Sequence, residues 1–554
     1  MTNGRSPSRI GRATLGRGGV WAGLGAVLAV SVAQAPPAAP ERPHRLEIPG
    51  TPAEHRVEVL PIAADSSIVV YTDFRRRNEG DAQKHVFSCY DSQLRPRWQT
   101  AVHLPAGTEL RALAVDGAIP YALCTSETDP RTVLVLRFEA RSGVGRVLRY
   151  RLPVPIDPLA FEVSEADAYV VATAFRQQTV LRLPLRDSAA GQFLPILTSP
   201  ATSVADAVPE PGGLTVLTAE RLEATSRLLL RPFHTTSPVP VQLRVLQGPH
   251  PASLTAGRTV AAPTATASRL VVGTYATRDP RFAQGIFSTV VPAGLANETP
   301  PTIFYYDLPT LPHYYDRFGP RHRVRAAARA RRRRAGGRET IAHARLLLHR
   351  PLPLPDGGYA LVAEQYYPRY RGGDSWGYRS FNSMRSAGLN GFAYGLPGLY
   401  GAYDPTTVWD RGLDGYVYTQ ALVLAFDAAG RLRWQNSFVL GNLTRAELQI
   451  NVAATVLASG AVALLVPSDN GERLRHLVLA GTGPEPEKPH EIPLLPPAPS
   501  AAPTAPKATE RLLDAHDARV HAWYAGRVLS SGFQRIRLPG QREREVFVLE
   551  ELRF

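Results

Sequence analysis

Lysine is nearly missing from this chain of 554 residues: Lys84, Lys488 and Lys507 stand against sixty arginines. With so much alanine, proline and glycine, the imbalance reads as a GC-rich coding bias, so part of the arginine excess carries no functional meaning. Cysteine is equally scarce, limited to Cys89 and Cys124. Each falls in a separate expected strand. Spacing does not say whether they meet, and two buried small apolar side chains is the reading adopted. No HExxH and no CxxC occurs, and the 14 histidines are scattered without a convincing ligand pair, so no metal site is expected. Past the N-terminal region, no segment is apolar enough to span a bilayer.

What the chain does contain is apolar material (44% hydrophobic) punctuated by 45 glycines and 50 prolines. That balance favours many short strands joined by turns over long helices. The net charge of +15 resembles a nucleic-acid signature, but it is local. Residues 1–35 carry four arginines and no acid, and residues 316–338 carry ten arginines and Asp316, which leaves +2 for everything else.

At the N-terminus Arg5, Arg9, Arg12 and Arg17 precede an uncharged apolar run, Val20 to Val32. Ser31 and Ala33 are small residues spaced for cleavage before Gln34. This is the layout of a secretory signal peptide over residues 1–33, and an uncleaved anchor is the alternative. Either way the body, 34–554, is expected to leave the cytoplasm, with no transmembrane segment in the mature chain. A periplasmic, outer-membrane-associated or secreted location follows, and export makes nucleic acid a poor partner.

Two distant segments align without gaps. CYDSQLRPRWQTAVHL (89–104) and AFDAAGRLRWQNSFVL (425–440) share six of sixteen positions, including Asp91/Asp427 and Trp98/Trp434. Each reads as a strand, a tight turn led by Asp, and a second strand opened by Trp. The two aspartates are expected to cap their turns through side-chain bonds to backbone N–H. The D-x-x-G-x-L-x-W pattern of the second copy resembles the outer hairpin of β-propeller blades of the quinoprotein-like, PQQ-repeat type. The resemblance implies an all-β propeller, and it implies no cofactor, because no stretch matches the metal site or catalytic Asp of the quinoprotein dehydrogenases.

Spacing supports the architecture. Trp98 and Trp434 are 336 residues apart, and with insertions at 308–342 and 366–404 set aside, five blade steps leave roughly 52 residues each. Eight candidate blades result, with seven as the alternative. The last, 507–554, shows three obvious strands, around Val520–Tyr524, Arg527–Arg537 and Glu545–Phe554, and Arg45–Ile48 is positioned to supply the fourth.

Three irregular regions interrupt this single propeller domain. In 308–342, Pro320 suits a helix start and Gly336–Gly337 a stop, with Arg321, Arg325, Arg329 and Arg332 on one face and no clean apolar face. The stretch 366–404 holds seven Tyr, among them Tyr366, Tyr367, Tyr370 and Tyr378, together with Trp376 and eight Gly. Such a loop is suited to stacking on sugar rings or anchoring a protein partner. The stretch 484–507, with nine Pro, is expected to run as an extended loop without regular structure.

One catalytic pattern occurs: Gly373-Asp374-Ser375-Trp376-Gly377 fits G-x-S-x-G. A nucleophile elbow needs a helix next, and YRSFNSMRSAGLNG is a poor one, so Ser375 is rejected. Asp404, Asp410 and Asp414 lack the alternating spacing that wraps calcium. The expectation is an exported, non-catalytic propeller that binds a protein or an anionic envelope polymer through the arginine helix and the tyrosine-rich loop. The alternative is a propeller enzyme, a quinoprotein-like oxidoreductase or a hydrolase, with its site in the central funnel. Converging Asp, Glu, His or Arg side chains in that channel would mark the second reading.

Overall fold

The computed structural model describes residues 40–554, except 75–82, 165, 187–189, 197–200, 211, 223–224, 235–236, 241–242, 250–251, 261–267, 293–300, 371–412, 470, 482, 484–487, 496–509 and 538–540. The signal-like residues 1–33 lie outside this set, as do Trp376, Tyr378 and Ser375. The described strands make eight antiparallel sheets, and each sheet is one propeller blade. In chain order the blades span 55–104, 108–151, 157–193, 202–246, 253–307, 345–445, 453–493 and 511–553. First strands of neighbouring blades touch, as in blades one and two, two and three, and seven and eight, so these strands line the centre of the ring. The eight-bladed reading is therefore the observed one.

The ring closes with its two ends in one sheet. The strand β1 (Arg45–Pro49) pairs with Arg544–Arg553, matching Arg45 to Glu550 and Ile48 to Phe547. Blade eight is thus made of three C-terminal strands and one N-terminal strand, and the edge of Arg544–Arg553 is covered. Its innermost strand runs over Arg511–Ala522, well ahead of the Val520–Tyr524 expected from sequence. Two register shifts, Leu512/Asp514 and His516/Arg519, break the apolar alternation there, which is why the pattern was hidden.

Burial follows the alternation of each strand. Middle strands such as Asp167–Ala174 and Val462–Pro467 are buried along nearly their whole length, because neighbouring blades cover both faces. The cores lie between blades. One cluster joins Tyr71, Phe87 and Trp98 of blade one to Leu134, Leu136 and Phe138 of blade two. Cys89 and Cys124 lie in it as buried free thiols.

The repeated turn has the same geometry in both copies. The Asp91 carboxylate accepts from the N–H groups of Gln93 (2.8 Å) and Arg95 (2.9 Å). The Asp427 carboxylate accepts from Ala429 (3.0 Å) and Arg431 (2.7 Å). The turn needs a left-handed fourth residue: Gly430 has φ +80° and Leu94, in the same place, φ +59°. Leu94 is 5% exposed, and its burial against blade eight offsets the conformational cost of about 1–2 kcal/mol. Trp98 and Trp434 open the outermost strands of blades one and six, five steps apart.

Two expectations about irregular regions need correction. Strand Tyr359–Tyr370 continues into the tyrosine-rich stretch and pairs with Leu413–Phe426, so regular structure persists to Tyr370. Within the proline-rich stretch, His490–Pro493 forms the outer strand of blade seven. An edge strand tolerates proline because one side of its backbone is not paired.

Candidate functional site

The arginine-rich insertion leaves blade five at Asp307 and enters a single turn of 3-10 helix, Leu308–Thr310. The helix α1 (Pro320–Ala335) follows, with Pro320 in its first turn. It ends in a Schellman arrangement: Gly337 has φ +68°, its N–H reaches Arg334 O (2.9 Å), and Arg338 N–H reaches Arg333 O (2.8 Å). Arg332, Arg333 and Arg334 sit in the last turn, where the helix dipole favours positive charge.

The helix does not lack a packing face. Ala330 is buried, and Ala326 and Ala327 pack with it against Leu308, Leu311, Tyr314 and Tyr315. Sequence reasoning missed this stripe because three alanines among arginines give a weak apolar signal. On the other side Arg321, Arg325, Arg329 and Arg332 are all exposed, and none of the four has an ion pair among the described residues.

The segment before α1 anchors it. The His313 ring bridges the Asp316 carboxylate (2.7 Å) and the Gly483 carbonyl (2.9 Å). Asp316 also accepts from Ser437 Oγ (2.9 Å) on blade six. His, Asp and Ser are therefore in contact, but not as a catalytic relay: the aspartate lies between the other two, and both His313 nitrogens are taken. A proton on each ring nitrogen satisfies both acceptors, which favours the imidazolium. Burial opposes that charge, but the bond and charge of Asp316 together with the Gly483 carbonyl outweigh it and raise the pKa. The Arg317 guanidinium stacks on Tyr314 and Phe318, 4.3 and 4.4 Å from the ring centroids. It also donates to Gln365 Oε1 (3.2 Å) at the start of the tyrosine-rich stretch.

Insertion and tyrosine strand thus meet on blade six, but not every tyrosine faces outward. Tyr366 is 1% exposed, its ring set against Tyr416 and Tyr418, and burial raises its pKa. It belongs to the blade core, which corrects its assignment to an exposed surface; strand alternation points it inward. Tyr367, on the other face, is half-buried and its hydroxyl contacts Gln365. Tyr370 ends the strand, and Asp414 pairs with Arg369 (2.7 Å).

The central channel is charged. Arg111 bonds Asp157 (2.6 Å) between blades two and three, and Arg519 bonds Glu58 (2.8 Å) between blades eight and one. Arg350 of blade six pairs with Glu162 of blade three, so this contact crosses the middle of the ring. Arg258 lies 3.6 Å from Asp206 and donates to Leu348 O (2.7 Å). Burial raises the pKa of Glu162, and Arg350 works against that rise. Sequence reading found none of these residues. Their one signal is charge at inward positions of first strands, as in HRVEV (55–59).

A cleft of about 400 Å³ opens between the inner strands of blades one and eight, where the ring closes. His55, Arg56, Glu58, Glu447, Asp517, Arg519, His521 and Ser531 line it. Among the described residues, no group of three or more His, Cys, Asp or Glu is arranged to hold a metal ion, and no helix is long and apolar enough to cross a membrane.

No protein-family model matches the chain, and neither does any curated protein. Solved structures are similar in fold. The β-propeller domain of the Trilobed protease from Pyrococcus furiosus is 6% identical, over 80% of this chain and 97% of that one, with a TM-score of 0.35. The polysaccharide lyase Uly1 is 9% identical, over 80% and 89%, with a TM-score of 0.35. A putative 6-phosphogluconolactonase from Bacteroides uniformis is 11% identical, over 76% and 92%, with a TM-score of 0.33. At such values the likeness says nothing about chemistry.

Proposed function

We propose that this chain is an exported, non-catalytic propeller that binds an anionic polymer of the bacterial envelope through the outer face of α1. The observation that carries the reading is a firmly anchored helix with four exposed arginines that have no ion pair among the described residues. A guanidinium binds phosphate or carboxylate through two parallel N–H donors, and a fixed helix presents several such groups with little ordering cost. The signal-like sequence of residues 1–33 supports export, which would carry such a surface out of the cytoplasm. The charged channel keeps the propeller enzyme, a quinoprotein-like oxidoreductase or a hydrolase, as the second reading, with Glu162, Asp157, Asp206 and Glu58 each facing a guanidinium there.

The test compares the protein lacking residues 1–33 with its Arg321→Gln/Arg325→Gln/Arg329→Gln/Arg332→Gln variant on a phosphate-bearing resin. All four positions are exposed, so the fold persists in the variant. The variant is expected to elute at clearly lower salt. Elution at the same salt rejects the arginine face as the binding surface. Fractionation of cells expressing the full chain checks export, with the protein expected outside the cytoplasmic fraction.

A further inference from the structure

The cleft at the ring closure is a built site, independent of the arginine helix. Its walls come from separate places in the chain: the first strand of blade one, the link between blades six and seven, and the first strand and the two middle strands of blade eight. The decisive local feature is the bulge at His516/Arg519. It leaves Asp517 and Ala518 opposite Gly532, and Asp517 takes φ +52°. A side chain at Gly532 would press on Ala518 Cα at 3.0 Å, so the bulge and the glycine go together. Bulges re-aim side chains, and this one brings Asp517, Arg519 and His521 to the same cleft.

The lining has a definite chemistry. Glu58 holds both guanidiniums, Arg519 at 2.8 Å and Arg56 at 3.5 Å. Glu447 and Asp517 are exposed carboxylates at the cleft. His521 Nε2 lies 3.3 Å from Ser531 Oγ, and Ser531 is 5% exposed. Burial, and then the charge of Arg519, push the His521 pKa down to about 4, so its ring is neutral at physiological pH. Phe533 and Phe547 lie buried behind this lining, with ring centroids 5.2 Å apart.

Three carboxylates and two guanidiniums are interspersed here, so an ion of either sign meets like charge as well as opposite charge. A neutral ligand rich in hydroxyls avoids both penalties, because each hydroxyl accepts from an arginine and donates to a carboxylate or a neutral imidazole. The cleft volume lies within the usual range for small-molecule sites, about 300–1,000 Å³. The geometry points to a binding site for a neutral mono- or disaccharide at the junction of blades one and eight.

Calorimetric titration with glucose, galactose, N-acetylglucosamine and maltose tests this, with glucosamine and glucuronate as charged counterparts. The expected result is saturable one-site binding of at least one neutral sugar, with glucosamine and glucuronate about tenfold weaker or worse. The Glu447→Gln/Asp517→Asn variant is expected to lose about tenfold in affinity, as when charge-assisted hydrogen bonds are removed. Both residues are exposed, and asparagine accepts positive φ, so the variant folds. The variant with four glutamines on α1 should bind the sugar unchanged, which separates this site from the helix surface. Absence of saturation by every neutral sugar, tighter binding of a charged one, or unchanged binding by the Glu447→Gln/Asp517→Asn variant overturns the proposal.

Discussion

The two tryptophans of the repeated motif follow identical turns yet meet different neighbours. Trp98 donates from Nε1 to Ala140 O (2.9 Å) on the next blade and stacks on Phe138, with ring centroids 6.0 Å apart. It also lies over Gly143, where an added Cβ would stand 2.4 Å from the ring. Trp434 is half-buried, at the side of the cluster shared by blades six and seven. Trp98→Ala should therefore lose about 3–5 kcal/mol, and Trp434→Ala distinctly less. Denaturant unfolding of the two variants measures the difference, and equal midpoints would contradict it. The sequence reading could place both residues in blade hairpins, because turn and strand lie within one short segment. It could not rank them, because the ranking depends on a turn forty residues away.

At the scale of elements, α1 divides the same way. Its ends were legible, since proline at a start and paired glycines at a stop act locally. Its docking was not, because the alanine stripe has meaning only once Tyr314 and Tyr315 are known to be buried beside it. The His313 latch makes that docking depend on pH. The groups facing its ring are Asp316, the Gly483 carbonyl and, more distantly, Arg323. The folded pKa is raised above the ordinary 6.5, so the imidazolium stabilises docking fully below the unfolded value. That contribution is lost as pH rises through the folded value. Hydrogen exchange over 313–335 should accelerate on going from mildly acidic to alkaline solution, beyond the intrinsic pH effect on exchange. His313→Gln should flatten this extra dependence and leave the segment less protected at low pH. A wild-type protein with no extra dependence would show that the imidazolium does not hold the insertion.

For the whole molecule, architecture was legible and the sites were not. Hairpin motifs and blade spacing are periodic, and periodicity survives in one dimension. The cleft and the channel are products of closure: Glu58 and Arg519 meet across 461 positions of chain, and no local pattern announces such a pair. Closure itself rests on β1, whose Leu46 and Ile48 pack with Ile68, Val70, Leu529 and Leu549. Arg42 adds an ion pair to buried Glu550 (3.6 Å). Without β1, strand Arg544–Arg553 offers an unpaired edge rich in β-formers, VFVLEEL, to any other chain. Removing residues 34–50 from the protein that lacks residues 1–33 should lower its thermal midpoint and cause concentration-dependent self-association, seen by sedimentation. A synthetic peptide of residues 40–50 should reverse both effects by supplying the missing strand. Peptides with Leu46 and Ile48 replaced by aspartate should not. If the shortened protein keeps its midpoint and stays monomeric, the ring does not depend on this strand for closure, and blade eight is stable with three strands.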